Sequence, residues 1–184
     1  VAVPGALYRV WCLYEVFKSI NTNCTFDVVL PKEQEEKLVQ AIMEGKAEWI
    51  VSLFTDIDAE KANAGNPADK EMIFARIKEA MGFSKMNQQV KTRLRTWLVE
   101  ITTAAVAGVP EVDANCNDDH IALLSGAAAM WFALAKHSDS AALYERVLRI
   151  NETAHDKTSI KLAPTLASLA EVYVHQSKYD EQRA

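Results

Sequence analysis

The chain has 184 residues, 49% of them hydrophobic and 24% charged, with 6 Gly and 5 Pro. That composition excludes disordered, collagen-like and low-complexity classes, and the length sets a prior of roughly one to two domains. A net charge of −5 argues against nucleic acid as a partner, because holding phosphates takes a concentrated excess of Lys and Arg. No apolar run approaches the roughly 18–20 residues that cross a bilayer, so no membrane partner is expected. Cys12, Cys24 and Cys116 are too few, and odd in number, for a secreted disulfide scaffold. No CxxC pair exists and no His lies at zinc-ligand spacing from a Cys, so reduced thiols, a cytoplasmic setting and no metal are expected.

Pro4-Gly5 is a breaker, after which Val10, Leu13, Phe17 and Ile20 recur at helical spacing and predict a helix from about residue 7 to 20. Phe26-Asp27-Val28-Val29-Leu30 is a short run of strand formers closed by Pro31. A lone strand is not a sheet, so its partners are expected upstream of Val1 or in the ambiguous stretch Trp49 to Ile57. Pro31 with Glu33, Glu35 and Glu36 suits a helix start, and Leu38, Ile42 and Met43 carry that helix's apolar face to Gly45.

Asn66-Pro67-Ala68-Asp69 supplies a capping side chain, a first-turn Pro and an acid, a strong helix start. Ile73, Ile77 and Met81 form its stripe and Gly82 closes it. Ser84 opens the next helix, with Met86, Val90, Leu94, Trp97 or Leu98, and Ile101 as the buried line. Gly108-Val109-Pro110 and the polar run from Asp113 to Asp119 mark a boundary, giving domains of 1–110 and 111–184. The first holds 13 basic and 14 acidic side chains, the second 7 and 11, so the more acidic part lies after the boundary.

From Asp119 the pattern is helical and repeats after about 42 positions. Ala127-Ala128 matches Leu169-Ala170, Trp131 matches Tyr173, and Ala135-Lys136 matches Ser177-Lys178. Small residues at Ala128 and Ala170 let two antiparallel helices approach, and the aromatic fills the groove beside them. Leu143, Val147 and Ile150 line the second helix between the copies. The segments Leu143-Tyr144-Glu145-Arg146 to Ile150 and Leu169-Ala170 through Tyr173 to Tyr179 resemble tetratricopeptide (TPR) repeats of the kinesin-light-chain type. In this resemblance Ser177 stands at the usual Gly, and His137 and Ser138 stand near the consensus Tyr. It implies an α-solenoid of helix pairs binding proteins or peptides in a groove, with no cofactor.

Arg9-Val10-Trp11-Cys12-Leu13-Tyr14-Glu15-Val16 resembles the Trp-Cys-Leu-x-Glu-Leu helix of Toll/interleukin-1-receptor (TIR) domains. The resemblance implies that residues 1–110 are the C-terminal half of a flavodoxin-like α/β module, with Phe26–Leu30 as its fourth parallel strand. The whole run is also similar to algal proteins that join such a module to kinesin-light-chain-type repeats. Self-association through the module is then expected. So is an alternative activity, NAD glycohydrolysis, in which a carboxylate at Glu15 would stabilise an oxocarbenium-like state with NAD as substrate.

Other motifs read as structure. Cys12 has no neighbouring base and sits beside Leu13, as a buried small hydrophobe would. Lys91 and Arg95 lie opposite the Met86–Val90–Leu94 line, as on a solvated helix face. Asp56, Asp58 and Glu60 lack the Gly and terminal Glu of a calcium loop. The expected whole is mostly α, part α/β and part solenoid, an interaction scaffold belonging to a longer protein. Exposed apolar surface is expected around Phe26–Leu30 and along the Leu166–Tyr179 helix.

Overall fold

A computed structural model describes residues 9–22, 24, 28–111, 115–154 and 160–183. Its elements in order are helices α1 (Val10–Asn21), α2 (Lys32–Met43), α3 (Ala47–Thr55), α4 (Pro67–Ala80), α5 (Gly82–Ala107), α6 (Asp118–Ala133) and α7 (His137–Ala154), a 3₁₀ turn (Ile160–Leu162) and α8 (Ala163–Arg183). They divide into two compact units that interleave along the chain. The first takes the described residues within Val1–Pro31 together with Ser52–Leu98; the second takes Lys32–Val51 and Val99–Ala184.

In the first unit α4 starts where Asn66 caps it. The Asn66 side chain accepts from the Ala68 N–H at 3.0 Å, and Pro67 occupies the first turn, where its missing N–H costs nothing. Ile73 and Ile77 are fully buried on α4, as are Val10 and Leu13 on α1. Polar ties then fix which helix meets which. The Trp11 indole donates to Asp69 at 3.2 Å, joining α1 to the first turn of α4, and the Val10 N–H donates to the Asn63 carbonyl at 3.0 Å. Met86, Val90, Leu94, Trp97 and Leu98 of α5 are buried along the expected line. The Trp97 indole donates to the Val28 carbonyl at 3.1 Å, and Phe54 meets the Trp97 ring edge-on.

Asn87 organises the loop after α3. Its carbonyl oxygen accepts from the Ala59 N–H at 2.9 Å and its amide donates to Asp58 at 3.2 Å. Burial raises the Asp58 carboxyl, but hydrogen bonds from Lys61, the Glu60 N–H and Asn87 outweigh it and hold the group below its ordinary value.

The second unit is made of helical hairpins. α2 ends in a turn at Glu44-Gly45-Lys46, with Gly45 at φ 72°. The Gly45 N–H donates to the Ile42 carbonyl (2.9 Å), Lys46 to Ala41 (3.0 Å) and Ile50 to Lys46 (3.0 Å). Ninety residues later α6 ends the same way. Ala135 takes φ 61°, its N–H donates to Phe132 (2.9 Å), Lys136 to Trp131 (2.8 Å) and Ser140 to Lys136 (3.0 Å). Both are Schellman turns, in which the residue after the cap enters the left-handed region and the last carbonyls find partners. The two hairpins meet where α2 packs on α6: a Cβ at Gly126 would stand 1.9 Å from the Ile42 carbonyl oxygen.

α6 itself starts at a capping box, the Asn117 side chain accepting from the His120 N–H at 2.9 Å while the His120 ring accepts from the Asn117 N–H at 3.1 Å. α7 folds back on it. The buried Ser140 hydroxyl donates to the Ala128 carbonyl at 2.8 Å, so the small residue at 128 is where the helices close. Leu124, Ala127, Ala128, Tyr144, Val147 and Val172 belong to one core cluster, which draws α8 in against α7.

The α/β half expected from the TIR resemblance is overturned. Among the described residues there is no strand, and the one β-type feature is an isolated bridge between Arg9 and Asn63. Phe26 and Asp27 lie outside the described residues; Val28–Leu30 is irregular and Val29 is 85% exposed. The candidate partner stretch Trp49–Ile57 lies in α3 and the loop after it, because Ala47, Ile50 and Phe54 share one helical face and all three are buried. At Ser177, the counterpart of Ala135, α8 does not turn but continues to Arg183, and the Ser177 hydroxyl donates to the Tyr173 carbonyl at 3.0 Å.

Candidate functional site

Four helices and a turn of the second unit converge on a cavity of about 190 Å³. The α2–α3 turn brings Gly45, and the start of α3 brings Ala47 and Glu48, to its edge. α6 contributes Ala129, Phe132 and Ala133, and α7 contributes Tyr144. Ser168, Glu171 and Val172 come from α8. Each element is there for a reason already given: the left-handed turns reverse the chain within three residues, and the close approaches at Gly126 and Ala128 draw the helices together. Apolar contact is available from Phe132, Ala129 and Val172. Two carboxylates, Glu48 and Glu171, also line the cavity, and among the described residues no basic side chain does.

Tyr144 supplies the buried polar group. Burial pushes its phenol above the ordinary value, a hydrogen bond with Ser168 opposes the rise, and the Glu171 carboxylate adds to it. The phenol therefore stays protonated and serves as a hydrogen-bonding group throughout the neutral range. Beside the cavity, the Tyr173 hydroxyl donates to Glu145 at 2.5 Å, and that bond raises the Tyr173 phenol in turn. Phe132 meets the rings of His137 (5.4 Å) and His175 (5.1 Å) edge-on.

The residues singled out by the TPR resemblance fall into two groups. Ala128, Leu143, Tyr144 and Leu169 are buried in the core, and Trp131 is half-buried against it. Ala170 is exposed and Tyr173 is 44% exposed, while the side chain of Tyr179 lies outside the described residues. Of the seven whose side chains are described, Tyr144 alone lines the cavity.

Glu15, the catalytic residue in the NAD reading, is exposed on α1, and no strand to carry a substrate pocket accompanies it among the described residues. Its motif does packing: Leu13 and Tyr14 are buried and Trp11 reaches Asp69. With the α/β module gone, the NAD chemistry and the self-association it implied lose their structural basis. Cys12, Cys24 and Cys116 are free thiols, and no group of three or more potential metal ligands gathers among the described residues. None of their helices is long and apolar enough to cross a membrane.

Glu48, Phe132, Ser168, Glu171 and Gly126 were not legible as site residues. Phe132 and Glu171 sit beside recognised repeat positions, which was a signal of place but not of role. Glu48 lies in a stretch whose helical character was ambiguous. No protein-family model, curated protein or solved structure matches the chain.

Proposed function

We propose that the second unit is a protein-binding module of tetratricopeptide-like helix pairs, and that its cavity receives a lysine or arginine side chain from a partner peptide. The observation that carries this reading is the lining of the cavity: apolar faces of Phe132, Ala129 and Val172 with the carboxylates of Glu48 and Glu171 and, among the described residues, no cation. At about 190 Å³ the space is below the roughly 300–1,000 Å³ of small-molecule sites, which favours a single side chain as occupant. A long basic side chain has the matching chemistry, an aliphatic stem for apolar walls and a charged head for carboxylates. The acidic excess of residues 111–184, 11 against 7, would draw such a partner in and repel nucleic acid. A reducing, cytoplasmic setting belongs to the same reading, supported by the three free thiols.

The test is calorimetry of the full chain with a panel of unstructured peptides identical except for Lys, Arg, Glu or Leu at one central position. Lys and Arg peptides are expected to bind best, and Glu48→Gln with Glu171→Gln to weaken them about tenfold while flattening the salt dependence. Equal binding of all four peptides, or unchanged binding by the double variant, would reject the reading.

A further inference from the structure

The cavity changes character from its mouth inward. Glu48 and Glu171 stand at exposed positions, whereas Ala47, Tyr144 and Val172 are buried and Phe132 and Ala129 are half-buried. Negative charge therefore lies at the rim, and aromatic and apolar surface lies deeper. The inner hydroxyls, those of Tyr144 and Ser168, are hydrogen-bonded to each other. Both rings are held before any partner arrives. Tyr144 is anchored by that bond, and Phe132 meets His137 and His175 edge-on at 5.4 and 5.1 Å, the two imidazoles standing 5.8 Å apart. Neither imidazole lines the cavity, so they fix the Phe132 ring without filling the space. An aromatic wall fixed in advance loses little freedom when a ligand binds.

This grading decides which cation fits. An unmodified lysine ammonium carries three N–H donors and an arginine guanidinium five. Against Phe132 and Tyr144 most of those donors would leave water without gaining an acceptor, and each one left unsatisfied costs free energy. Methylation of the lysine nitrogen keeps the positive charge and replaces donors by methyl groups that need no partner. Aromatic rings attract such a cation, and a desolvated one most strongly. Two methyls suit the two rings, and the single N–H left on a dimethylammonium suits a rim carboxylate, Glu48 or Glu171. We infer that the cavity's ligand is a dimethylated lysine side chain of a partner protein. The inference rests on the cation reading of the cavity and adds the modification state: Phe132 and Tyr144 select for the methyls, and the carboxylates select for the charge and the remaining N–H.

The probe is a fluorescent peptide with one central lysine, made unmodified, dimethylated and trimethylated, titrated into the full chain and followed by anisotropy. The dimethyl form is expected to bind about tenfold tighter than the unmodified one, and tighter than the trimethyl form, which has no N–H. A peptide carrying the neutral carbon analogue of the dimethylated head should bind about tenfold more weakly than dimethyl-lysine. Phe132→Leu, which keeps an apolar wall and removes a ring, should bring the ratio of dimethyl to unmodified affinity close to one. Circular dichroism should show wild-type helix content in that variant, and the wild-type series with the neutral analogue stands without it. Methylation that leaves binding unchanged or weakens it, with the lysine peptide still bound, would overturn this inference alone. Tightest binding by the trimethyl form would overturn the dimethyl assignment. Failure of every cationic peptide to bind would overturn the reading of the cavity as well. Choline binding as tightly as the dimethylated peptide would overturn the inference by giving the site to a free ammonium ligand.

Discussion

The two compact units are built on different principles. The first is held in register by side chains that reach across the sequence: Trp11 to Asp69, Trp97 to Val28, and Asn87 to Asp58 and Ala59. Each such tie is made once and has no duplicate. The second repeats a local device, a helix closed by a left-handed turn before a lysine, and joins its copies through apolar faces and close backbone approach. Specific polar ties choose a unique partner at each point, whereas a repeated hairpin presents the same surface again. The second unit accordingly holds the acid-lined cavity.

The largest expected effect tests the join between hairpins. Gly126→Ala places a methyl against the Ile42 backbone, where nothing flexible can give way, and should cost about 3 kcal/mol, at the upper end of overpacking penalties. Ala is the better helix former by roughly 1 kcal/mol, so in an open helix the sign would reverse. Chemical denaturation distinguishes the two: a raised midpoint would mean that α2 does not sit on α6.

A middle-sized effect tests the first unit. Asn87→Ala leaves the Ala59 N–H and Asp58 without their shared partner and should cost about 1–2 kcal/mol. The loss should shrink in acid. Because its folded-state carboxyl lies below the ordinary value, Asp58 contributes stability that is present above the ordinary carboxylate range and lost as pH falls through the lowered value. A wild-type to variant difference that does not change on acidification would remove Asp58 from the account.

The smallest effect probes the repeated turn. Ala135 occupies the left-handed region at φ 61°, where a side chain costs about 1 kcal/mol relative to Gly. Ala135→Gly should therefore raise the thermal midpoint slightly, while Gly45→Ala at the matching turn lowers it. Shifts of the same sign in both variants would show that the two turns are not equivalent.

Much of the helical content could be read directly. Asn66-Pro67 announced α4, and the Met86–Val90–Leu94 line announced α5, because capping chemistry and 3.6-residue periodicity are local. The α6–α7 hairpin was legible for the same reason. α3 was not, since Trp49-Ile50-Val51 is rich in strand formers and only its place after the Gly45 turn makes it a helix. The resemblance at Trp11–Glu15 was carried by residues that serve packing, so it misled about the fold around it. The pairing of α2 with α6 could hardly be read from the sequence. It joins residues 84 positions apart, Ile42 and Gly126, and its one mark is a glycine inside a helix among alanines. The cavity depends on that pairing, and so Glu48 could not be connected with Glu171 beforehand.

The central claim is that residues 32–51 belong with α6, α7 and α8 rather than with their neighbours in sequence. Native-state hydrogen exchange on the full chain, wild type beside Gly126→Ala, tests it most directly. Amides of α2 and α6 should lose protection together in the variant, while those of α1 and α4 keep theirs. Protection in α2 that instead stays unchanged, or that falls in step with α1, would contradict the account.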